Sequence, residues 1–129
     1  MPNRNPDVDD YIAKLDHPDR EAIESLRLAI LDLDGRITES VKWNAPNFLF
    51  DGEDRVTFRL KPGTRYQLIL HRGATKRDDV DVFEFDDPTG RIEWATPDRG
   101  TLTLAGTNSE GADRAQATDL VDRWMRATT

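Results

Sequence analysis

The sequence predicts an α+β fold of two layers, with N- and C-terminal helices packed on one face of an antiparallel β-sheet. Three observations predict it. Apolar residues recur at helical spacing over the first third of the chain, alternate with polar ones through the middle, and return to helical spacing at the end.

The first helix is marked by Val8, Tyr11, Ile12 and Leu15 on one face, with Asp7 or Asp9 as the expected cap. His17-Pro18 interrupts it, and Pro18 suits the first turn of a second helix, where Asp19 and Glu21 meet the positive helix end. Ile23, Leu26, Ile30 and Leu33 form the core-facing stripe of that helix, and Gly35 is its expected left-handed stop. Residues 40–43 and 47–50 read as short extended pieces around Pro46. Val56, Phe58 and Leu60 alternate with Thr57, Arg59 and Lys61. Tyr66, Leu68 and Leu70 alternate with Gln67, Ile69 and His71, so strands 56–61 and 66–71 should form a hairpin across Pro62-Gly63. A charged connection follows over 73–79, and 80–85 fits either a short strand or a turn. A second hairpin, 91–95 with 101–104, spans residues 96–100. The final helix, 111–127, presents Ala115, Leu120, Val121, Trp124 and Met125. There is no internal repeat, low-complexity run or linker, so residues 1–129 read as one domain.

Composition excludes several classes of function. The absence of cysteine removes disulfides, thiolate metal sites and a Cys nucleophile. The net charge of −7 argues against a nucleic-acid partner, which needs a basic face. No apolar run reaches the length of about 20 residues that a membrane helix requires, so a cytoplasmic protein with no membrane partner is expected. The acidic excess is mostly Asp, 18 against 7 Glu, and the cations are mostly Arg, 14 against 4 Lys. A solvated surface explains such an excess as well as a site does.

Val8-Asp-Asp-Tyr-Ile-Ala-Lys-Leu15, Ser40-Val-Lys-Trp-Asn-Ala-Pro-Asn-Phe48 and Leu70-His-Arg-Gly-Ala74 together resemble the YdhG-like family of bacterial proteins, a domain of unknown function. The likeness runs from about residue 7 to 126. It implies a frataxin-like fold, with terminal helices on one antiparallel sheet. One branch of that family is described as an intracellular iron chaperone, so the resemblance implies iron as a bound metal. Frataxins use acidic residues on the first helix and nearby sheet edge.

Two groups of residues carry candidate chemistry. Asp7, Asp9, Asp10, Asp16, Asp19, Glu21 and Glu24 crowd the amino-terminal helices, and carboxylate oxygens are hard ligands suited to iron and similar ions. Asp7 with Asp10, or Glu21 with Glu24, share a helix face, which makes Asp7, Asp9, Asp10, Glu21 and Glu24 the candidate metal ligands. A solvated helix face with capping carboxylates is the competing reading. The second group is a cleft built by Lys42, Trp43, Asn44 and Pro46 with His71, Arg72 and Lys76, where an indole surface and cations would hold a small anion. Here the structural alternatives are Trp43 in the core, Pro46 setting a turn, and Arg72 paired with Asp78 or Asp79. His17, beside Pro18, suits capping better than ligation. His71 ends a strand on the face opposite Leu68 and Leu70. Phosphate-binding loops, G-x-S-x-G and H-E-x-x-H are all missing, and no nucleophile stands out beside either histidine, so no enzyme is expected. Two functions follow as expectations: an iron-binding chaperone, or a small-anion binding or regulatory module, in either case a monomer or homodimer.

Overall fold

The computed structural model describes residues 3–73, 77–105 and 110–128. In chain order it contains α1 (Pro6–Ala13), α2 (Arg20–Leu31), β1 (Ile37–Lys42), β2 (Ala45–Phe50), β3 (Glu53–Arg59), β4 (Gln67–Leu70), a 3-10 turn (Val80–Val82), β5 (Ile92–Thr96), β6 (Arg99–Thr103) and α3 (Glu110–Ala127). All strand pairings are antiparallel, in the order β1-β2-β3-β4-β6-β5. This is the expected α+β class. No described helix is long and apolar enough to cross a membrane.

The helix ends are set differently from expectation. Asn5, not Asp7 or Asp9, caps α1: its side chain accepts the Asp7 N–H at 2.8 Å, and Pro6 takes the first helical position, where a missing N–H costs nothing. Pro18 stays outside α2, whose N-cap is Asp19. His17 secures this junction, with Nδ1 accepting the Asp19 N–H at 3.0 Å and Nε2 donating to the Arg65 carbonyl at 2.8 Å. The C-cap of α2 is Asp32 in right-handed geometry, so the helix stops before Gly35 and without a left-handed residue.

Extended pieces 40–43 and 47–50 become one hairpin. Its two-residue turn is Trp43-Asn44, both at positive φ (53° and 58°), and Lys42 pairs with Ala45 across it. Such turns match the right-handed twist of the strands they join. Pro46 therefore lies inside β2 opposite Val41, and Asn47 is the first β2 residue to pair with β3. The expected hairpin β3–β4 forms with Val56, Thr57 and Phe58 opposite Leu70, Ile69 and Leu68. The last hairpin closes more tightly than anticipated, with Pro97-Asp98 between Thr96 and Arg99.

One sheet face is the core. Ile37, Phe48, Phe50, Val56, Phe58, Leu68, Leu70, Ile92 and Leu102 all point to it by register and are buried. α1 and α2 cover the β1–β2 end of that face, and α3 packs on α2 and β3. Leu120, Val121, Trp124 and Met125 of α3 enter this core as expected; Ala117 does so in place of Ala115, which is exposed. Residues 80–85 resolve as the 3-10 turn followed by Phe83 and Phe85, whose rings meet Trp124 edge-on at 5.5 and 5.1 Å. The Trp124 indole N–H donates to the Arg55 and His71 carbonyls at 3.1 and 3.0 Å, tying α3 to the ends of β3 and β4.

Candidate functional site on the open sheet face

Alternation sends Ala45, Asn47, Thr57, Arg59, Ile69, His71, Thr101 and Arg99 to the face away from the helices. A pocket of about 360 Å³ opens there. Ile69, Thr57 and His71 form its floor, Ala45 and Trp43 one wall, and Arg59 and Arg99 contribute the charge.

His71 is only 3% exposed despite being on this face. The Gly73 N–H donates to its Nδ1 at 2.9 Å, so Nδ1 is the unprotonated nitrogen and Nε2 carries the hydrogen. Nε2–H then donates to Thr57 Oγ1 at 2.8 Å, and the Thr57 hydroxyl donates onward to Asn47 Oδ1 at 2.7 Å. Asn47 Nδ2 donates to Asp54 Oδ1 at 2.8 Å, and the Lys42 ammonium closes the chain on the other Asp54 oxygen. Burial, reinforced by the nearby Arg99, pushes the His71 pKa down to about 4; Asp54 opposes the shift, and Arg55 and Lys42 add to it. Burial of Asp54 raises its own pKa, but the bonds from Lys42 and Asn47 outweigh this and leave it below the usual carboxylate value.

Trp43 stands over this network. Its ring meets the His71 imidazole edge-on at 5.7 Å, the Lys42 ammonium lies 4.9 Å from its centre, and the residue remains 52% exposed. A bulky side chain at positive φ costs about 1–2 kcal/mol, so turn geometry alone does not explain Trp at this position.

Of the cleft residues, the fold brings Lys42, Trp43 and His71 together and separates the rest. Asn44 lends its backbone carbonyl to the Tyr11 hydroxyl at 2.9 Å, and Pro46 is buried on the helix side of β2. The Arg72 guanidinium turns away from the pocket to bridge Asp79 and Asp98, and stacks 4.0 Å from the centre of the Phe83 ring. Lys76 lies outside the described residues. Thr57, Asn47, Arg59 and Arg99 were not singled out from sequence. The alternation of 56–61 put Thr57 and Arg59 on the wet face, and pairing that strand with 66–71 would have set Thr57 near His71.

The acidic residues are dispersed. Arg27, fully buried, takes Glu39 at 2.8 and 2.5 Å, Asp9 at 2.7 Å and Glu24 at 2.9 Å, and Asp9 also receives Arg4 at 2.7 Å. The bond from Arg4, then that from Arg27, holds the Asp9 carboxyl below its ordinary range. Glu21 shares a shallow groove with Asp9 and Glu24, but Arg4 and Arg20 line it too. Asp7 and Asp10 line a different groove, beside Lys14 and Lys61, and Lys14 binds Asp10 at 2.9 Å. Among the described residues no three His, Asp or Glu side chains gather as a metal-binding group.

Compared with protein-family models, with curated proteins and with solved structures, the chain has no match.

Proposed function

We propose that this protein is a binding module for a small anionic ligand with a flat apolar portion, seated in the pocket beside Trp43 and His71. The observation behind this reading is Trp43: an indole held half-exposed on a strained turn, over a buried floor, with Arg59 and Arg99 at hand. Neither arginine makes an ion pair among the described residues, so both guanidinium groups are available to a carboxylate. The indole supplies a stacking surface for the apolar portion.

Binding rather than turnover is the reading the proton positions favour. With Nδ1 occupied by Gly73 and the hydrogen on Nε2, the neutral imidazole has no free lone pair with which to take the Thr57 proton. The iron-carrier reading has less behind it, because Asp9 and Glu24 already serve Arg27, and Asp7 and Asp10 face a different groove.

Calorimetry and amide NMR against a panel of aromatic and aliphatic carboxylates test the proposal. Ligand shifts should centre on Thr57, Ile69 and His71. Trp43→Gly, which relieves the turn, should leave stability within about 1 kcal/mol and abolish binding. If no carboxylate binds, or Trp43→Gly binds as well as wild type, the proposal fails. Iron-induced broadening confined to residues 7–24 would favour the iron reading instead.

A further inference from the structure

Every buried polar group in the pocket floor is already satisfied within the protein. The Thr57 hydroxyl accepts from His71 and donates to Asn47, and both His71 nitrogens are engaged. A ligand that sought hydrogen bonds from this floor would have to break that chain and leave a buried group unpaired. The floor therefore suits an apolar body, and charge recognition falls to the two arginines.

Those arginines sit at opposite ends. Arg59 pairs with Gln67 at the start of β4, and Gly100 pairs with Leu70 at its end, so Arg99 lies level with His71. Strands β3 and β6 flank β4 on either side. Four residues of rise and two strand spacings put the two Cα atoms about 16 Å apart across the pocket. Both side chains line the same pocket, and guanidinium groups reaching toward each other across it would leave a gap that a short chain or single ring spans. Each end offers one planar guanidinium, which matches one carboxylate through two parallel hydrogen bonds.

Resting on the binding function proposed above, the geometry points to a dicarboxylate as the ligand class, with one carboxylate on Arg59, the other on Arg99, and the connecting apolar body against Trp43 and Ile69. The site thereby selects for ligands charged at both ends and discriminates against the corresponding monoacids.

Matched probes separate this from generic anion binding: adipate against hexanoate, and terephthalate against benzoate, titrated into the wild-type protein, Arg59→Ala and Arg99→Ala. Both arginines are exposed and make no ion pair among the described residues, so each variant should fold, with its melting temperature as the check. At least one diacid should bind tenfold or more tightly than its monoacid. Either substitution should reduce that diacid to the affinity of the monoacid. Equal affinity for diacid and monoacid, or a loss in only one of the two variants, overturns the dicarboxylate assignment while leaving the anion pocket standing. If none of the four acids binds the wild-type protein, both fall.

Discussion

Lowering the pH from about 7.5 to about 4.5 should destabilise this protein through His71, whose burial opposes protonation in the folded state. The imidazole titrates at 6.5 in an ordinary setting and at about 4 in the fold. Between those values the unfolded chain holds a proton that the folded chain does not, so stability rises with pH across the window. The contribution is present in full above pH 6.5 and is lost as pH falls toward 4, with a total of about 3 kcal/mol and a slope of at most about 1.4 kcal/mol per pH unit. Asp9, Asp34, Asp54, Asp79 and Asp87 are all held below the ordinary 3.8, so the stability they contribute is lost mainly at still lower pH. Urea denaturation at half-unit steps of pH, for wild type and His71→Gln, isolates the histidine because the slope is compared rather than the absolute stability. The wild-type slope should exceed that of the variant throughout the interval above about pH 5. An NMR titration of the His71 ring protons provides a check that needs no substitution. Equal slopes in the two proteins, or a ring that titrates near its ordinary value, would refute the reasoning.

Two further substitutions probe the frame around the site. Glu39→Ala should cost about 3 kcal/mol in urea denaturation, because it strips the fully buried Arg27 of the one equally buried partner it has among the described residues; a loss below about 1 kcal/mol would show that Asp9 and Glu24 suffice. Gly100→Ala should cost about 1–3 kcal/mol, since the new Cβ would lie 2.8 Å from Trp94 Cε3 and closer still to Ile92 Cγ2. An unchanged urea midpoint for that variant would mean that Trp94 moves aside freely.

Local patterns in the sequence carried much of the fold. The β3–β4 hairpin was legible because Val56, Phe58, Leu68 and Leu70 meet one core while their neighbours face water, which leaves a clean two-residue period. The β1–β2 hairpin was harder to recognise. Its turn is Trp-Asn rather than the usual Asn-Gly, and a proline stands inside the following strand, so the local pattern points to a break around Pro46 instead. At α1, the asparagine before Pro6 won the cap over two aspartates because Pro6 fixed the helix start one residue after it. Trp43 was legible as a candidate stacking surface with the core as its alternative, and His71 as a titratable group on the wet side of a strand. Arg59 and Arg99 were not, since nothing local distinguishes them from any solvated arginine. They become a pair only through the non-consecutive pairing of β4 with β6, a long-range choice that local sequence pattern does not express.

The same long-range pairing explains how an acidic chain can present a site for anions. Net charge of −7 sets the average field, but several carboxylates around α1 and α2 are held by neighbouring cations: Asp9, Glu24 and Glu39 by Arg27, and Asp10 by Lys14. Asp54 on the open face is likewise held by Lys42 and Asn47. At physiological ionic strength charges separated by more than about 8 Å are largely screened, so a ligand in the pocket responds to the groups that touch it rather than to the total. Those groups are two guanidiniums with no ion pair among the described residues, an indole and an uncharged imidazole. The lowered pKa of His71 contributes by keeping a third positive charge out of the floor, which leaves an apolar body free to lie there while its charged ends are drawn to Arg59 and Arg99. In this fold the acidic excess and the anion pocket are compatible because Asp9, Glu24, Glu39, Asp10 and Asp54 are each held by cations of their own, while Arg59 and Arg99 line the pocket with no ion pair among the described residues.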